Sequence, residues 1–150
     1  MGTRRAARQR SERGATVVEF ALLMPVLFLL LFGIIQYGLY FWAMQGGSDI
    51  ARNAARMAAV GDPATCAAYR TAVAADIQGL TGSGSTATVR RSYATALPSQ
   101  VQVGDVVTVT VQFDSFDLQL PILPFVDDGE VNATAEARVE FVPRQPEACP

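Results

Sequence analysis

Few side chains in this sequence have the types and spacing that catalysis or metal binding requires. The 150 residues include no histidine and no lysine, so the commonest general base and the amine that forms Schiff bases are both missing. Two acidic pairs, Asp114 with Asp117 and Asp127 with Asp128, do not follow a calcium-loop pattern, and hard cations need about six oxygens. We therefore expect no metal, no cofactor and no enzymatic activity. The enzyme alternative is a membrane-tethered hydrolase that uses Asp127 or Asp128.

The chain has two cysteines, Cys66 and Cys149. Their separation fits no zinc or redox pattern, because those patterns place cysteines in close pairs such as C-x-x-C. In an exported domain the two could form a disulfide that closes most of the folded part. The other interpretation is two free thiols, and the sequence leaves both open.

Charge is divided unevenly along the chain. Residues 1–44 carry a net charge of +3, from five arginines that all precede residue 14 and two glutamates, whereas residues 45–150 carry −5. A basic patch beside a lipid-length apolar run is typical of membrane topology, while a nucleic-acid partner would need basic residues on a folded face. We therefore expect no nucleic-acid partner. In the second part, Arg90 and Arg91 are interpreted as an exposed pair on a strand.

The segment from Ala21 to Met44 contains no charged residue. As a helix with a rise of about 1.5 Å per residue it is roughly 36 Å long, enough to cross a hydrocarbon core of about 30 Å. Tyr37, Tyr40 and Trp42 gather at its far end, where aromatic rings favour the headgroup layer. With arginines at the other end, the pattern predicts a single span in contact with membrane lipid, a cytoplasmic N-terminus and an extracytoplasmic remainder.

Two residues inside this span have two interpretations each. Pro25 removes a backbone hydrogen bond and would bend or loosen the helix, or it is a proline that a membrane helix tolerates. Gln36 would hydrogen-bond to a neighbouring helix, or it would face the interface near Tyr37.

Glu19 stands at the edge of the apolar run. A carboxylate there costs a few kcal/mol to bury without a partner, so intramembrane acids are functional candidates by default. The alternative is a side chain that reaches water from the headgroup layer.

The residues before the span, Arg13 to Phe20, resemble the start of type IV prepilins. That family has a short basic leader, a glycine before the cleavage site and a glutamate five residues into the mature chain, and Gly14 and Glu19 occupy those positions. The resemblance implies that a prepilin peptidase cuts between Gly14 and Ala15. It also implies that Glu19, followed by Phe20, meets the N-terminal amine of a neighbouring subunit during assembly.

Two helices are predicted after the span. Gly46-Gly47 is interpreted as a flexible joint, and residues 49–60 follow with apolar residues at helical spacing. Asp62-Pro63 is then expected to cap a second helix that extends to Leu80.

Beyond the second helix the apolar period changes from 3.6 to two, which predicts strands. The expected strands are Thr88–Tyr93, Val101–Phe113 and Val131–Phe141. The segment Leu118–Phe125 contains two prolines that exclude a central strand, so an apolar loop is expected. Helices followed by a small antiparallel sheet predict an α+β fold.

The whole layout resembles the TadE-like family, small pseudopilins of the tight-adherence pilus system. The matching segments are Arg13-Gly14, Val18–Ala21 leading into Leu23–Pro25, Ala51–Arg56, Val107–Val109 and Ala135–Arg138. The resemblance implies a structural subunit of the bacterial inner membrane whose partners are other pilin subunits and the pilus assembly machinery. It divides the chain into a leader (1–14), a span (15–45) and an extracytoplasmic domain (46–150). The alternative is an unprocessed single-pass envelope protein whose outer domain binds a partner.

Overall fold

The structure is a computed structural model that describes residues 3–82, 86–94, 101–120, 126–142, 147 and 149–150. It forms two compact units, Met1–Tyr37 and Gly38–Pro150. Helix α1 (Thr3–Ala59) makes up the described part of the first unit and begins the second. The second unit continues with helix α2 (Cys66–Thr81), strands β1 (Ala87–Tyr93) and β2 (Val106–Asp114), a 3-10 turn (Val126–Gly129) and strand β3 (Glu130–Arg138).

Within the second unit, α1 buries one face along its whole length. The buried residues recur three or four apart, which is the spacing of one helix face, and they are Tyr40, Ala43, Gly47, Ala51, Ala54 and Ala58. The amphipathic helix predicted over residues 49–60 is therefore the end of α1. The folded unit also includes Tyr40 and Ala43, which the sequence placed in the membrane span.

The predicted joint at Gly46-Gly47 is wrong, because α1 continues through both glycines. A Cβ at Gly46 would lie 2.5 Å from the Leu80 side chain, and one at Gly47 would lie 2.9 Å from the Phe113 ring and 3.1 Å from Val131. These distances are below or near the limit for non-bonded carbon atoms. The two glycines therefore let α2 and the sheet approach the helix backbone closely.

Helix α2 packs on α1 through one apolar face. Tyr69, Val73 and Ile77 are buried, and the Tyr69 hydroxyl donates a hydrogen bond of 2.8 Å to the carbonyl of Ala54. The predicted cap at Asp62-Pro63 is wrong. Thr65 is the N-cap, and its side chain accepts from the N–H of Ala68, which satisfies one of the free amides of the first turn.

The three strands form one antiparallel sheet in the order β1-β2-β3, which confirms the α+β class. Along the middle of the sheet Val89 pairs with Val111, and Val111 with Ala133. The alternate residues of β2 from Val107 to Phe113 are buried, as the two-residue period predicted. On the opposite face the hydroxyls of Thr110 and Thr134 meet at 3.1 Å.

Strand β3 is shorter than the sequence predicted, since it ends at Arg138. The chain then turns, because the N–H of Val139 donates to the carbonyl of Asp105 and the N–H of Phe141 donates to that of Ala59. Phe141 is exposed instead of facing the core. In the predicted apolar loop, residues 118–120 have no regular structure, and residues 121–125 lie outside the described residues.

The interpretation of Arg90 and Arg91 as an exposed pair is wrong for Arg91. Its side chain is only 1% exposed, and it is the largest fully buried side chain among the described residues. Successive residues of a strand point to opposite faces, so Arg91 shares the inner face with Val89 and Tyr93. Arg90 is exposed on the outer face.

The buried guanidinium of Arg91 binds backbone carbonyls. It donates to Pro63 at 3.0 Å, to Ala64 at 3.1 Å and to Glu147 at 2.6 and 3.2 Å. Its central carbon lies 4.3 Å from the centre of the Tyr69 ring, a favourable cation–π geometry. Burial raises the pKa of the Tyr69 phenol well above its ordinary value, and the charge of Arg91 opposes that rise. The neutral ring and the carbonyls together solvate the buried charge.

The C-terminal tail is fixed beside β1. Cys149 exchanges two backbone hydrogen bonds of 2.9 Å with Arg91 and forms a disulfide with Cys66, 83 residues away. The Glu147 carboxylate accepts the N–H of Cys66 at 2.8 Å, where α2 begins and a negative charge is favoured. A cross-link closing a loop of this length contributes roughly 2–5 kcal/mol to stability.

Adding a methyl group at Gly47 should destabilise the folded unit. We expect Gly47→Ala to lower the free energy of unfolding by about 1–3 kcal/mol, because the new Cβ overpacks Phe113 and Val131. The matched control is Gly79→Ala in α2, where a Cβ meets no atom within 4 Å. That change should raise stability by about 0.5–1 kcal/mol. Urea unfolding of both variants in detergent measures the difference, and equal effects would contradict the packing role.

Removing the charge of Arg91 should lower the stability of the folded unit far more than removing the charge of Arg90. We expect Arg91→Met to lower the free energy of unfolding by about 3 kcal/mol or more, since the carbonyls of Pro63, Ala64 and Glu147 lose the hydrogen bonds that the guanidinium donates. Arg90→Met, on the exposed face of the same strand, should change it by no more than about 0.5 kcal/mol. Thermal and urea unfolding test the pair, and a mild effect at Arg91 would refute its role in holding the tail.

Candidate functional site

The first part of α1 exposes apolar side chains on every face. From Val17 to Ile35, most of the large apolar residues are more than 40% exposed. Among the described residues, one helix is long and apolar enough to cross a membrane, and none of its most apolar 18-residue window is buried. A core helix of a water-soluble protein would bury such a surface. This helix has the form expected of a single-pass membrane protein.

Gly14 and Ala15 lie within α1 and are exposed. A Cβ at Gly14 would meet no atom within 4 Å. The fold therefore gives no packing reason for a glycine at this position, in contrast to Gly47. The predicted cleavage between Gly14 and Ala15 remains a prediction.

Glu19 and Phe20 are both exposed on α1, and Phe20 is followed by the uncharged apolar run that begins at Ala21. Within the described part of the chain, the Glu19 carboxylate has no hydrogen-bond or ion-pair partner. A carboxylate at the edge of an apolar surface needs water, a headgroup or a donor from another molecule. The geometry therefore leaves Glu19 available for an intermolecular contact.

The remaining predicted residues of the span differ in their surroundings. The helix continues through Pro25 without interruption. Gln36 is buried. Trp42 is half exposed, whereas Tyr40 and Ala43 on either side of it in sequence are buried.

Of the acidic residues considered in the sequence, Asp114 and Asp117 accept hydrogen bonds within the folded unit. Asp114 accepts from the Thr86 hydroxyl at 3.3 Å, and Asp117 accepts from the N–H of Gln119 at 2.7 Å. Asp128 is exposed in the 3-10 turn, and the side chain of Asp127 lies outside the described residues. Among the residues searched, no three acidic, histidine or cysteine side chains lie close enough to hold a metal.

Two features of the folded unit were not predicted from the sequence, although the residue spacing indicates both. Arg91 alternates with Val89 and Tyr93, and that period of two places it on the buried face of β1. Tyr40 and Ala43 stand at helical spacing before Gly47, which marks them as core residues of the same helix face.

The model of one protein family matches most of α1. It is the family described as TadE-like protein, and it matches residues 14–59. This segment is similar to the TadE-like family and makes up under a third of the chain. The resemblance inferred from the sequence is thus confirmed from Gly14 to Ala59, the last residue of α1. Comparisons with curated proteins and with solved structures found no match.

Proposed function

We propose that the chain is a pseudopilin-like structural subunit of a tight-adherence pilus assembly system, held in the bacterial inner membrane by α1. The TadE-like match from Gly14 to Ala59 carries this proposal. It begins at the glycine of the proposed cleavage site, includes Glu19 and the exposed apolar stretch, and ends where the helix is packed into the folded unit. Helix α1 alone would thus contain the proposed cleavage site, the membrane anchor and the buried face of the folded unit.

The charge distribution and the disulfide support an extracytoplasmic location for the folded unit. Five arginines lie within about 20 residues before the apolar stretch and two, Arg52 and Arg56, within about 20 residues after it, an excess that the positive-inside rule associates with a cytoplasmic N-terminus. The Cys66–Cys149 disulfide is typical of proteins that fold in an oxidising compartment.

Glu19 would couple processing to assembly. Cleavage after Gly14 by a prepilin peptidase would create a positively charged amine at Ala15, close to the end of the membrane span. The carboxylate of Glu19 on a neighbouring pilin subunit could pair with that amine, and the pair would be strongest in the low dielectric of the membrane edge. An unprocessed chain would have no such amine at this depth.

Removing the glycine before the proposed cut should abolish processing without affecting the fold. Full-length protein made with an active prepilin peptidase should begin at Ala15 by N-terminal sequencing and intact mass. Gly14→Leu should keep the intact N-terminus, because the larger side chain would obstruct the peptidase. The control is Gly38→Leu, another helical glycine with open space around it, which should still be cut. An intact start in the unmodified chain would favour the alternative, an unprocessed envelope protein.

Neutralising Glu19 should weaken assembly and leave the folded unit unchanged. We expect Glu19→Gln to reduce copurification with other pilin subunits from detergent-solubilised membranes by about tenfold, which corresponds to a coupling of about 1.4 kcal/mol. The urea midpoint should stay the same, since Glu19 has no partner within the described residues.

Asp49→Asn is the matched control for the loss of one negative charge from α1. Asp49 is exposed and pairs at 3.1 Å with Arg52 of the same helix, a contact worth little to stability. Equal losses of copurification in both variants would show that general charge, and not the position of Glu19, is responsible.

A further inference from the structure

Strand β3 forms one edge of the sheet, whose order is β1-β2-β3. The carbonyl of Asp105 accepts from the N–H of Val139 on the β3 side, and the carbonyl of the next residue, Val106, accepts from the N–H of Ala94 on the β1 side. Successive residues of the middle strand thus bond to opposite neighbours. The odd-numbered residues of β2 are therefore the ones that bond to β3.

The register then shows which backbone groups of β3 point away from the sheet. Val109 pairs with Ala135, so the odd-numbered residues of β3 direct their N–H and carbonyl groups to β2. The backbone groups of Asn132, Thr134 and Glu136 are directed outward. Within the described part of the chain, no residue bonds to these outward groups. An edge of this kind can pair with another strand.

The edge formed by β1 is already occupied. The N–H and carbonyl of Arg91 are bonded to Cys149, and the carbonyl of Val89 accepts from the Arg70 side chain at 3.2 Å. Both strand residues have odd numbers, as the same alternation requires for the outward groups of β1. Of the two sheet edges, the one that the described residues leave open is therefore that of β3.

Helix α1 runs beside the open edge in the same direction as β3. At the start of the strand, a Cβ at Gly47 would lie 3.1 Å from Val131. Just beyond its end, the carbonyl of Ala59 accepts from the N–H of Glu140 at 2.8 Å. Between these points lies a groove of about 420 Å³. It is lined by Arg52 and Arg56 of α1 and by Thr134, Ala135, Glu136 and Ala137 of β3.

The two sides of the β3 edge differ in charge. On the side of α1 stand Arg52 and Arg56, which are both exposed. Arg52 forms an exposed ion pair at 3.1 Å with Asp49, and Arg56 has no hydrogen-bond or ion-pair partner among the described residues. On the outer face of the sheet, the Glu136 carboxylate accepts from the Thr108 hydroxyl at 3.5 Å. Negative charge on an added strand would thus be favoured on the α1 side and disfavoured on the outer face.

The spacing of the two arginines fits a strand. Arg52 and Arg56 are four residues apart, which corresponds to about 6 Å along a helix axis. Alternate residues of an extended strand are about 6.6 Å apart and point to the same face. Ala135 and Ala137 are small and only half-buried, so they leave room on this face. Carboxylates at alternate positions of an added strand therefore match the two guanidinium groups.

We infer that the β3 edge binds an extended segment of a partner protein that carries carboxylates at alternate positions, and that this segment joins the sheet as a fourth strand. Its backbone would exchange hydrogen bonds with Asn132, Thr134 and Glu136. Its acidic side chains would pair with Arg52 and Arg56, and the uncharged residues between them would continue the outer face. In this mode of recognition, main-chain hydrogen bonds give affinity and alternate side chains give specificity. The inference goes beyond the proposed function and does not depend on the membrane anchor or on cleavage.

A peptide of alternating threonine and glutamate residues, labelled with fluorescein, tests this inference by fluorescence anisotropy. The full-length chain is used in micelles of an uncharged detergent. We expect saturable binding that weakens about tenfold when every glutamate of the peptide is replaced by glutamine, and that also weakens at high salt because exposed charges are screened. Absence of binding, or equal binding of both peptides, would overturn the inference.

Two variants of the chain locate the peptide. Thr134→Pro removes an N–H that is directed away from β2, and proline is tolerated at such a position of an edge strand. It should weaken binding about tenfold or more while the circular dichroism spectrum stays the same. Arg56→Gln should weaken binding about threefold, as for one exposed ion pair, and it decides the test if the proline variant folds poorly. The matched control is Arg90→Gln, on the outer face of β1, which should bind the peptide as the unmodified chain does.

The outcomes distinguish the segment from other occupants of the edge. Full binding by Thr134→Pro with its fold intact would place the peptide elsewhere and overturn the inference. Equal losses in Arg56→Gln and Arg90→Gln would show a general charge effect and would also defeat it. Light scattering of the chain without peptide tests the remaining occupant, a second copy. A dimer that Thr134→Pro dissociates would show that a second copy pairs with β3, contrary to the inference.

Discussion

The rest of this structure depends on α1 remaining one unbroken helix while its surroundings change. Up to Ile35 its large side chains are exposed all round, and within the second unit one face is buried from Tyr40 to Ala58. A helix in lipid must satisfy its own backbone groups, and a helix in a protein core must let its neighbours come close. Because α1 is one unbroken helix, its backbone groups are hydrogen-bonded within the helix. Its glycines and alanines let neighbouring elements come close. The small residues of α1 lie where α2 and the sheet contact it. They let both elements pack closely on the helix, so this part of α1 forms the core of the folded unit.

The fold also has to hold backbone segments without regular structure against the sheet, and Arg91 is the residue that binds them. The segment around Pro63 and Ala64 and the tail at Glu147 both present carbonyls that no strand or helix pairs with. A guanidinium has five donors in a planar fork and can serve several carbonyls at once. A hydrophobic residue at the same position could fill the space but would donate no hydrogen bond to those oxygens. The disulfide and the Glu147 carboxylate fix the same tail at the start of α2, so three independent contacts converge on a few residues.

Much of the architecture was accessible from sequence because it follows from periodicity. The apolar run predicted the exposed stretch of α1, and the alternation of Val107, Val109 and Val111 predicted the buried face of β2. The sequence-based predictions were wrong where one residue type can have two structural roles. Glycines at 46 and 47 were interpreted as a joint although the helix needs them for close packing, and charge was taken to mean exposure at Arg91. The cap of α2 was misplaced because Asp62-Pro63 has the composition of a helix start, while Thr65 supplies the actual cap. For the candidate site, the family resemblance supplied the roles of Gly14 and Glu19, since their exposure alone would not distinguish them from other residues of the helix.

The tail beside β1 also limits how copies of this chain can associate. Copies related by a simple translation would extend their sheets by placing β1 of one molecule against β3 of the next, with both strands running in the same direction. Cys149 already occupies the backbone hydrogen bonds of Arg91 on that side of β1, and the disulfide keeps it there. An open strand edge is a common route to uncontrolled aggregation, and here the disulfide-linked tail covers the edge of β1 at Arg91. Extension of the sheet through this part of β1 would therefore require Cys149 to leave its place, which the covalent link to α2 opposes.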